Sequence, residues 1–456
     1  MTNIDYYKKI EIENNSLKKE IIFLKERLFK IESGKIWRLL KIYFNLRDKI
    51  FAFLPFFLKN NSKIFFEKTK RNNQYTLLEI KIKKEIKKLK KEHYLPIVTN
   101  NFLKEKINNH FYGGNEKYII YLLRLMNKIN KKGIVFQFSK NFFKKTIFND
   151  NIVIGVGIDS DHFYEGTKII QRLVTENFNF CIYSPYQMKF NPEGFSIGIS
   201  HGLYNDFPGN YQNWIDNNKF YLEKIMNHNI IVSVDTATLN WLRALNFYAF
   251  MKCIYIPNFV DLDYFNFKPG KDKKENIILF PRSLYEPRGI EIFLEAINNF
   301  LIKNKNYKIY LCGEKVDKRI FNKINSFKKR FYNNLFVKKF SFEKIRDIYK
   351  KSKIVVVPSL HSEGTSLSLL EAMSCGCVPI ATWVGGLTDI IINNYNGLLI
   401  KPTAEEIFEA LKNLVNNDKK YKKMQKNAKE TVREFSLKFW EKKWLKILKE
   451  SLKISN

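Results

Sequence analysis

Apolar positions follow two different periods along this chain, and the change from one to the other divides it. Ile10, Leu17, Leu24 and Ile31 recur every seven residues, with Asn14, Ile21 and Leu28 four after the first three. That spacing predicts an a/d helical seam, a short coiled coil with Asn14 at a core position where a polar side chain would set dimer register. The same stripe also suits one amphipathic helix packed on its own chain. After Gly34 the apolar face broadens to Ile36, Trp37, Leu39, Leu40, Tyr43, Ile50, Phe51, Leu54 and Phe57, with Lys35, Arg38, Lys41, Arg47 and Lys49 interspersed. Rings among cations suit a helix lying in an anionic headgroup layer, or one docked on the rest of the protein. Leu78 to Leu89 reads as a lysine-dense, solvated helix with Ile82 and Ile86 in phase. Residues 96–150 are transitional, with one helical run through Tyr118–Met126.

At Asn151 the pattern becomes α/β. IVIGVGI from Ile152, then CIYS (181–184), FSIGIS (195–200), IIVSV (230–234) and CIYIP (253–257), are short buried-strand runs with room for helices between them. The α/β part before the Pro269-Gly270 linker is short, about 110 residues from Asn151. Either the residues ahead of it complete its sheet or its outer side is pared down. Beyond the linker the alternation is clearer. Strands IILF (277–280), KIYLCG (308–313), IVVVP (354–358), VPIAT (378–382) and GLLI (397–400) are separated by helices, and Thr403-Ala-Glu-Glu406 has the pattern of a capping box. The expected fold is α/β: two Rossmann-like, doubly wound domains facing a cleft, preceded by a helical, coiled-coil and basic extension. The expected boundaries are 1–95 for the extension, 96–265 and 266–430 for the two domains, and 431–456 for a C-terminal helix.

Composition changes this picture in one respect. Among 456 residues, 45% are hydrophobic, enough for a large core. Lys and Arg number 79 against 45 Asp and Glu, a formal charge of +34. Such an excess favours anionic partners, while the general richness in Lys, Asn, Ile and Phe also follows from AT-rich coding. A nucleic-acid partner would call for a recognition motif, and none is present, so none is expected. The five cysteines, Cys181, Cys253, Cys312, Cys375 and Cys377, lack zinc-site spacing and read as reduced core thiols. The acidic, apolar-poor start predicts no signal peptide, and no uncharged run reaches the roughly 18 residues of a membrane span.

The chemistry concentrates in HSEGTSLSLLEAMSCG, which follows the strand IVVVP. Glu363 falls in the loop, Thr365 or Ser366 can cap the following helix, Glu371 lies inside it, and Gly376 ends it. The first amides of such a helix point at the loop, where a diphosphate would be held. Gly364 permits close backbone approach there. The two carboxylates would flank the anion and accept from hydroxyls of a sugar on one side and a ribose on the other. The bland alternative is an ordinary capped helix with incidental glutamates.

That segment resembles the E-x7-E signature of the family 4 glycosyltransferases, retaining enzymes of the GT-B fold. IPNFVDLDYF (256–265) looks like the family's interdomain stretch, RSLYEPRGIEIFLEAI (282–297) like its phosphate-binding segment, and VGGLTDIIINNYNGLLIKP (384–402) like its glycine turn and following strand. The resemblance runs from about residue 230 to 430. It implies that Glu363 binds hydroxyls of the donor sugar and Glu371 the ribose, and that Arg282 and Arg288 neutralise the departing diphosphate. Gly364, Thr365 and Ser366 would line the phosphate. Arg288 stands where the family usually has a lysine one residue closer.

His201, just past the end of FSIGIS, occupies a place where the family often has a cleft histidine, beside the reacting sugar; a loop or capping histidine is the other reading. His162 offers a weaker acceptor or phosphate contact. Asp159-Ser160-Asp161 and Asp261-Leu262-Asp263 could suggest a metal-diphosphate site. With two arginines available they read as incidental, and neither metal nor cofactor is expected.

The function implied is transfer of a sugar from a nucleotide-sugar donor to a glycan or lipid-linked acceptor, in cell-surface polysaccharide synthesis. The protein would be cytoplasmic and peripheral on the inner membrane face, with a possible homodimer through the coiled coil. The alternative is a basic nucleic-acid- or membrane-binding scaffold with a degenerate transferase domain.

Overall fold

A computed structural model describes residues 75–89, 91–99, 114–138, 143–156, 163–186, 192, 194–202, 211–313 and 318–455. The coiled-coil seam, the aromatic-basic stretch, His162, and the Asp159–Asp161 pair lie outside the described residues. Every described strand falls within one compact unit, Leu77–Asn456.

A helix over 75–87 (α1) leads into an eight-stranded sheet. Its strands are β1 (Tyr94–Thr99), β2 (Lys132–Phe138), β3 (Phe143–Phe148), β4 (Asn151–Val156), β5 (Phe180–Ser184), β6 (Phe195–Ser200), β7 (Ile230–Ser233) and β8 (Cys253–Tyr255). The helices between them are α2 (Gly114–Asn127), α3 (Phe163–Asn177), α4 (Tyr211–Met226), α5 (Thr236–Leu245) and α6 (Phe247–Met251). The strand order is β3-β4-β2-β1-β5-β6-β7-β8, and all neighbours are parallel except the β3/β4 pair. The residues before 151 therefore do complete the first sheet, and β1 straddles the boundary expected at 95.

The second sheet has six parallel strands in the order β11-β10-β9-β12-β13-β14. They are β9 (Glu275–Phe280), β10 (Lys308–Leu311), β11 (Leu335–Val337), β12 (Ser352–Val357), β13 (Val378–Thr382) and β14 (Leu398–Ile400). Around them lie α7 (Ile290–Lys303), α8 (Lys318–Arg330), α9 (Phe342–Lys351), α10 (Leu367–Ser374), α11 (Ala404–Asn416) and α12 (Asp418–Thr431). Thr403 caps α11, its hydroxyl accepting from Glu406 N at 3.3 Å. β12 and β13 are buried almost along their whole length, as continuous apolar runs demand in a sheet covered on both faces.

Both sheets reverse direction of winding at one place, between β1 and β5 in the first and between β9 and β12 in the second. In such folds ligands gather at the carboxyl ends of strands flanking that point. The last helix, α13 (Leu437–Ser455), crosses back to the first domain. Trp440, Trp444, Ile447 and Leu448 join the core built on α2, and the Trp444 indole donates to the Tyr118 hydroxyl at 2.8 Å. Truncating a buried tryptophan of this kind costs about 3–5 kcal/mol.

The stretch expected as a solvated helix is amphipathic instead. Leu78, Ile82 and Ile86 are buried, while Glu79 pairs with Arg172 of α3 and Glu85 with Lys145 of β3. Lysines on its outer face mask an inward ladder at four-residue spacing.

Candidate active site

The site forms where the loops after β9 and β12 meet the carboxyl ends of β1, β5 and β6. The β12 strand ends at Val357, and its buried Ser359 begins a loop that reaches the N-terminus of α10. Within that loop Glu363 is nine-tenths buried. Its Oε2 accepts from the guanidiniums of both Arg282 and Arg288, and from Ser359 Oγ at 3.0 Å. Burial alone would raise the Glu363 carboxyl, but the two guanidiniums override it and hold the pKa below the usual range. Two cations against one anion leave this cluster with a net positive charge.

Arg282 follows β9 and turns its second nitrogen toward α10. Its Nη1 donates to Ser366 Oγ at 3.1 Å and Ser368 Oγ at 3.3 Å. Its Nε is buried with no partner. Arg288 ends a single 3-10 turn and also donates to Ser362 O at 3.1 Å. Ser366 stands at the N-cap position of α10, yet its hydroxyl makes no capping bond and accepts from Arg282 instead. The amides of Leu367, Ser368 and Leu369 have no partner within the helix, since Leu370 N to Ser366 O is its first closed turn. Gly376 (φ 77°) ends the helix in the left-handed region, as its sequence position suggests.

Thr365 and Gly364, expected to line the phosphate, also pack against the first domain. The Thr365 hydroxyl donates to Val234 O at 2.7 Å and accepts from Asn258 N at 2.8 Å, while Asn258 Nδ2 donates to Thr365 O at 2.5 Å. That hydroxyl is consumed by the contact between domains. A Cβ on Gly364 would sit 2.7 Å from both His201 O and Val234 Cγ2. The close backbone approach that requires glycine comes from the other domain, not from open space. Nearby, Asp389 accepts from Thr236 N at 2.8 Å and from the Tyr255 hydroxyl at 3.2 Å, and Gly386 N donates to Glu363 O at 2.8 Å.

The same approach brings His201 against the Glu363–Gly364 loop. His201 Nε2 lies 2.9 Å from Ser184 Oγ, whose own proton goes to Asn115 Oδ1 at 2.7 Å. Asn115 Nδ2 in turn donates to Thr99 Oγ1 at 3.2 Å. Ser184 has one proton to give, so His201 must donate from Nε2 and keep Nδ1 as an acceptor. Burial lowers its pKa to about 4, so the ring is neutral at physiological pH. Thr99, Ser184 and His201 mark the ends of β1, β5 and β6, the switch point of the first sheet.

Glu371 lies further along α10, almost fully buried, and its Oε1 accepts from Lys117 of α2 at 2.6 Å. Its Oε2 is buried without a partner. Of the expected residues, Glu363, Arg282, Arg288, Ser366 and His201 thus share one region, and Glu371 sits apart from the Glu363 cluster on the same short helix. Lys117, Ser359, Ser368, Asn258 and Asp389 were not anticipated. The Gly113-Gly114 pair at the start of α2 is a compositional signal for a loop-to-helix turn; the others carry no local signal. Asp261 accepts from the amides of Asp263 and Tyr264 at 3.2 and 3.1 Å, which gives its carboxylate a turn-capping role.

Residues 263–431 match the family described as glycosyl transferases group 1. The C-terminal domain is a group 1 glycosyl transferase domain. Over 172 residues the chain is 34% identical to an uncharacterized glycosyltransferase of Methanocaldococcus jannaschii, covering 37% of this chain and 45% of the other. It is 28% identical over 185 residues to the GalNAc-alpha-(1->4)-GalNAc-alpha-(1->3)-diNAcBac-PP-undecaprenol alpha-1,4-N-acetyl-D-galactosaminyltransferase of Campylobacter jejuni, covering 39% and 49%. A 29% match over 201 residues is with the UDP-Gal:alpha-D-GlcNAc-diphosphoundecaprenol alpha-1,3-galactosyltransferase of Escherichia coli, covering 40% and 50%. The chain thus spans about half the length of these curated relatives. Among solved structures, sucrose-phosphate synthase from Thermosynechococcus elongatus superposes with a TM-score of 0.64 at 15% identity, over 79% of this chain and all of that one. A glycosyltransferase from Rickettsia africae gives 0.59 at 20% identity, over 79% and 99%. These likenesses establish the GT-B fold: two α/β domains, of which the group 1 domain is the second.

Proposed function

We propose that this chain transfers a sugar, with retention, from a nucleotide-sugar donor to a glycan or lipid-linked acceptor. One observation carries the reading: a carboxylate clamped by two guanidiniums at the amino end of α10, beside a neutral histidine from the opposing domain. Leaving-group departure breaks the bond between the anomeric carbon and the β-phosphate oxygen, and negative charge grows on the diphosphate. Fixed guanidiniums and helix amides stabilise that charge without reorganising. Arg282 and Arg288 supply the charge that a metal supplies in other transferases, so a nucleotide sugar needs no metal here. Glu363 is then positioned to accept from donor-sugar hydroxyls, and His201 Nδ1 to accept from a hydroxyl near the reacting carbon. On the resemblance to retaining enzymes, the acceptor oxygen adds on the face the diphosphate leaves, and its proton passes to the departing phosphate.

The acceptor reading draws on the undecaprenol-linked acceptors in the names of two relatives. A diphosphate-linked polyprenyl glycan on the inner membrane face also suits a chain of charge +34. No described helix is long and apolar enough to cross a membrane.

A panel of nucleotide sugars scored by thermal stabilisation identifies the donor, since a ligand bound to the native state raises the melting temperature. At least one should do so, and turnover of that donor should fall about 100-fold or more in Glu363→Ala. Unchanged turnover in that variant refutes the assignment. Salt-sensitive retention on DNA with no donor stabilisation would favour the nucleic-acid scaffold instead.

A further inference from the structure

Six large apolar side chains face solvent in one part of the first domain: Met226, Leu245, Phe247, Tyr248, Met251 and Ile254. They arise because α6 is only five residues long and buries a single one of them, Ala249. Asn246 caps the turn, accepting from Ala249 N at 2.9 Å, and Lys252 ties its far end to α4 through Met226 O at 2.5 Å and His228 O at 2.9 Å. The fold thus holds Phe247, Tyr248 and Met251 outward at 59%, 70% and 65% exposure rather than leaving them on a loose loop. Contiguous exposed apolar surface of this kind marks an interaction site.

Charge selects the partner. Residues 236–260 contain Arg243 and Lys252 and not one Asp or Glu. On α4 the exposed Lys219 and Glu223 offset each other, and Lys443 of α13 stands 5.6 Å over the Tyr255 ring on the edge strand β8. A second copy of the chain would set these cations against their own kind. An anionic bilayer surface matches both the apolar and the basic character, with rings and methionine at the headgroup boundary and cations beside lipid phosphates.

We propose that the α5–α6–β8 face docks the first domain on an anionic membrane surface. The docking is separate from sugar transfer, and it needs no donor to be measured.

The test is the partition coefficient of the full chain on vesicles of phosphatidylcholine with and without phosphatidylglycerol, read from lipid titration by co-sedimentation. Contributions to the logarithm of that coefficient add, so a second contact elsewhere does not hide this one. The wild type should prefer anionic vesicles and release with salt. Phe247→Ser/Tyr248→Ser/Met251→Ser should partition about fivefold less or weaker still. Tyr248→Asp alone, at the most exposed of the three, should show the same direction if the triple variant folds poorly. Tyr332→Ser, equally exposed on the second domain, should change nothing. Equal partition of wild type and both variants overturns the proposal, as does no wild-type binding. Loss of a wild-type dimer in the triple variant, with partition unchanged, would assign the face to a second copy and equally overturn it.

Discussion

Lys117 and Glu371 meet across the cleft at 2.6 Å, although 254 positions separate them in the sequence. One belongs to α2 of the first domain and the other to α10 of the second, so the pair exists only when the domains are closed. The family resemblance implies that Glu371 takes the donor ribose. The pairing with Lys117 occupies Oε1, and the buried Oε2 makes no hydrogen bond.

Removing the ammonium leaves a buried carboxylate uncompensated. Lys117→Met should therefore destabilise the protein by about 2–4 kcal/mol, and adding Glu371→Gln should restore much of it. Denaturant unfolding of the two single variants and the double variant measures the coupling. A coupling below about 0.5 kcal/mol would show that the pair does not tie the domains.

Thr365 separates a domain-contact role from a donor role. Thr365→Val keeps the shape but strands Val234 O and Asn258 N. The expected cost is about 1–3 kcal/mol in stability, with donor affinity in the closed enzyme nearly unchanged. A large rise in donor KM without any loss of stability would return Thr365 to the phosphate.

Arg282 reaches Glu363 with one nitrogen and two serines with the other, a geometry only a planar fork supports. Arg282→Lys keeps the charge and loses the fork. Transfer should drop about tenfold or more, and wild-type rates in this variant would mean that charge alone is enough.

His228 sets an acid limit on the fold. It is buried, its Nε2 donating to Tyr186 O at 3.2 Å while Nδ1 lies 3.2 Å from Ser196 Oγ. Burial brings its pKa to about 4. The unfolded chain takes up this proton near pH 6.5 and the native state does not, so stability is complete above 6.5 and declines as pH falls toward 4. The loss approaches about 3 kcal/mol at 1.36 kcal/mol per pH unit. His201 carries the same depressed pKa, so the fall of melting temperature over that window should lose about half its slope in His228→Gln, after allowing for its lower starting value; an unchanged slope would show that His228 does not contribute to it.

How legible each part was in the sequence follows from how local its cause is. β12 and β13 are unbroken apolar runs, and parallel strands covered on both faces need nothing else. Glu363, Ser366 and Glu371 fall within one strand-loop-helix, and Arg282 comes just after the neighbouring strand, so a short motif reports them. β1 was obscured by Pro96, which lies just before the ladder to β5 begins at Ile97, and β3 (FKKTIF) is an edge strand that reads as polar. The domain contacts of Thr365 and Gly364 were not legible because the residues that crowd them, Val234 and His201, belong to the other domain. Lys117 carries no local mark at all; only closure gives it a carboxylate.

A crystal structure with the donor found by thermal stabilisation tests the site most directly. The diphosphate should lie within hydrogen-bond distance of Arg282 and of the Leu367–Leu369 amides, with sugar hydroxyls on Glu363. A diphosphate bound elsewhere, with Arg282 and Glu363 still paired to each other and touching no ligand, would contradict it.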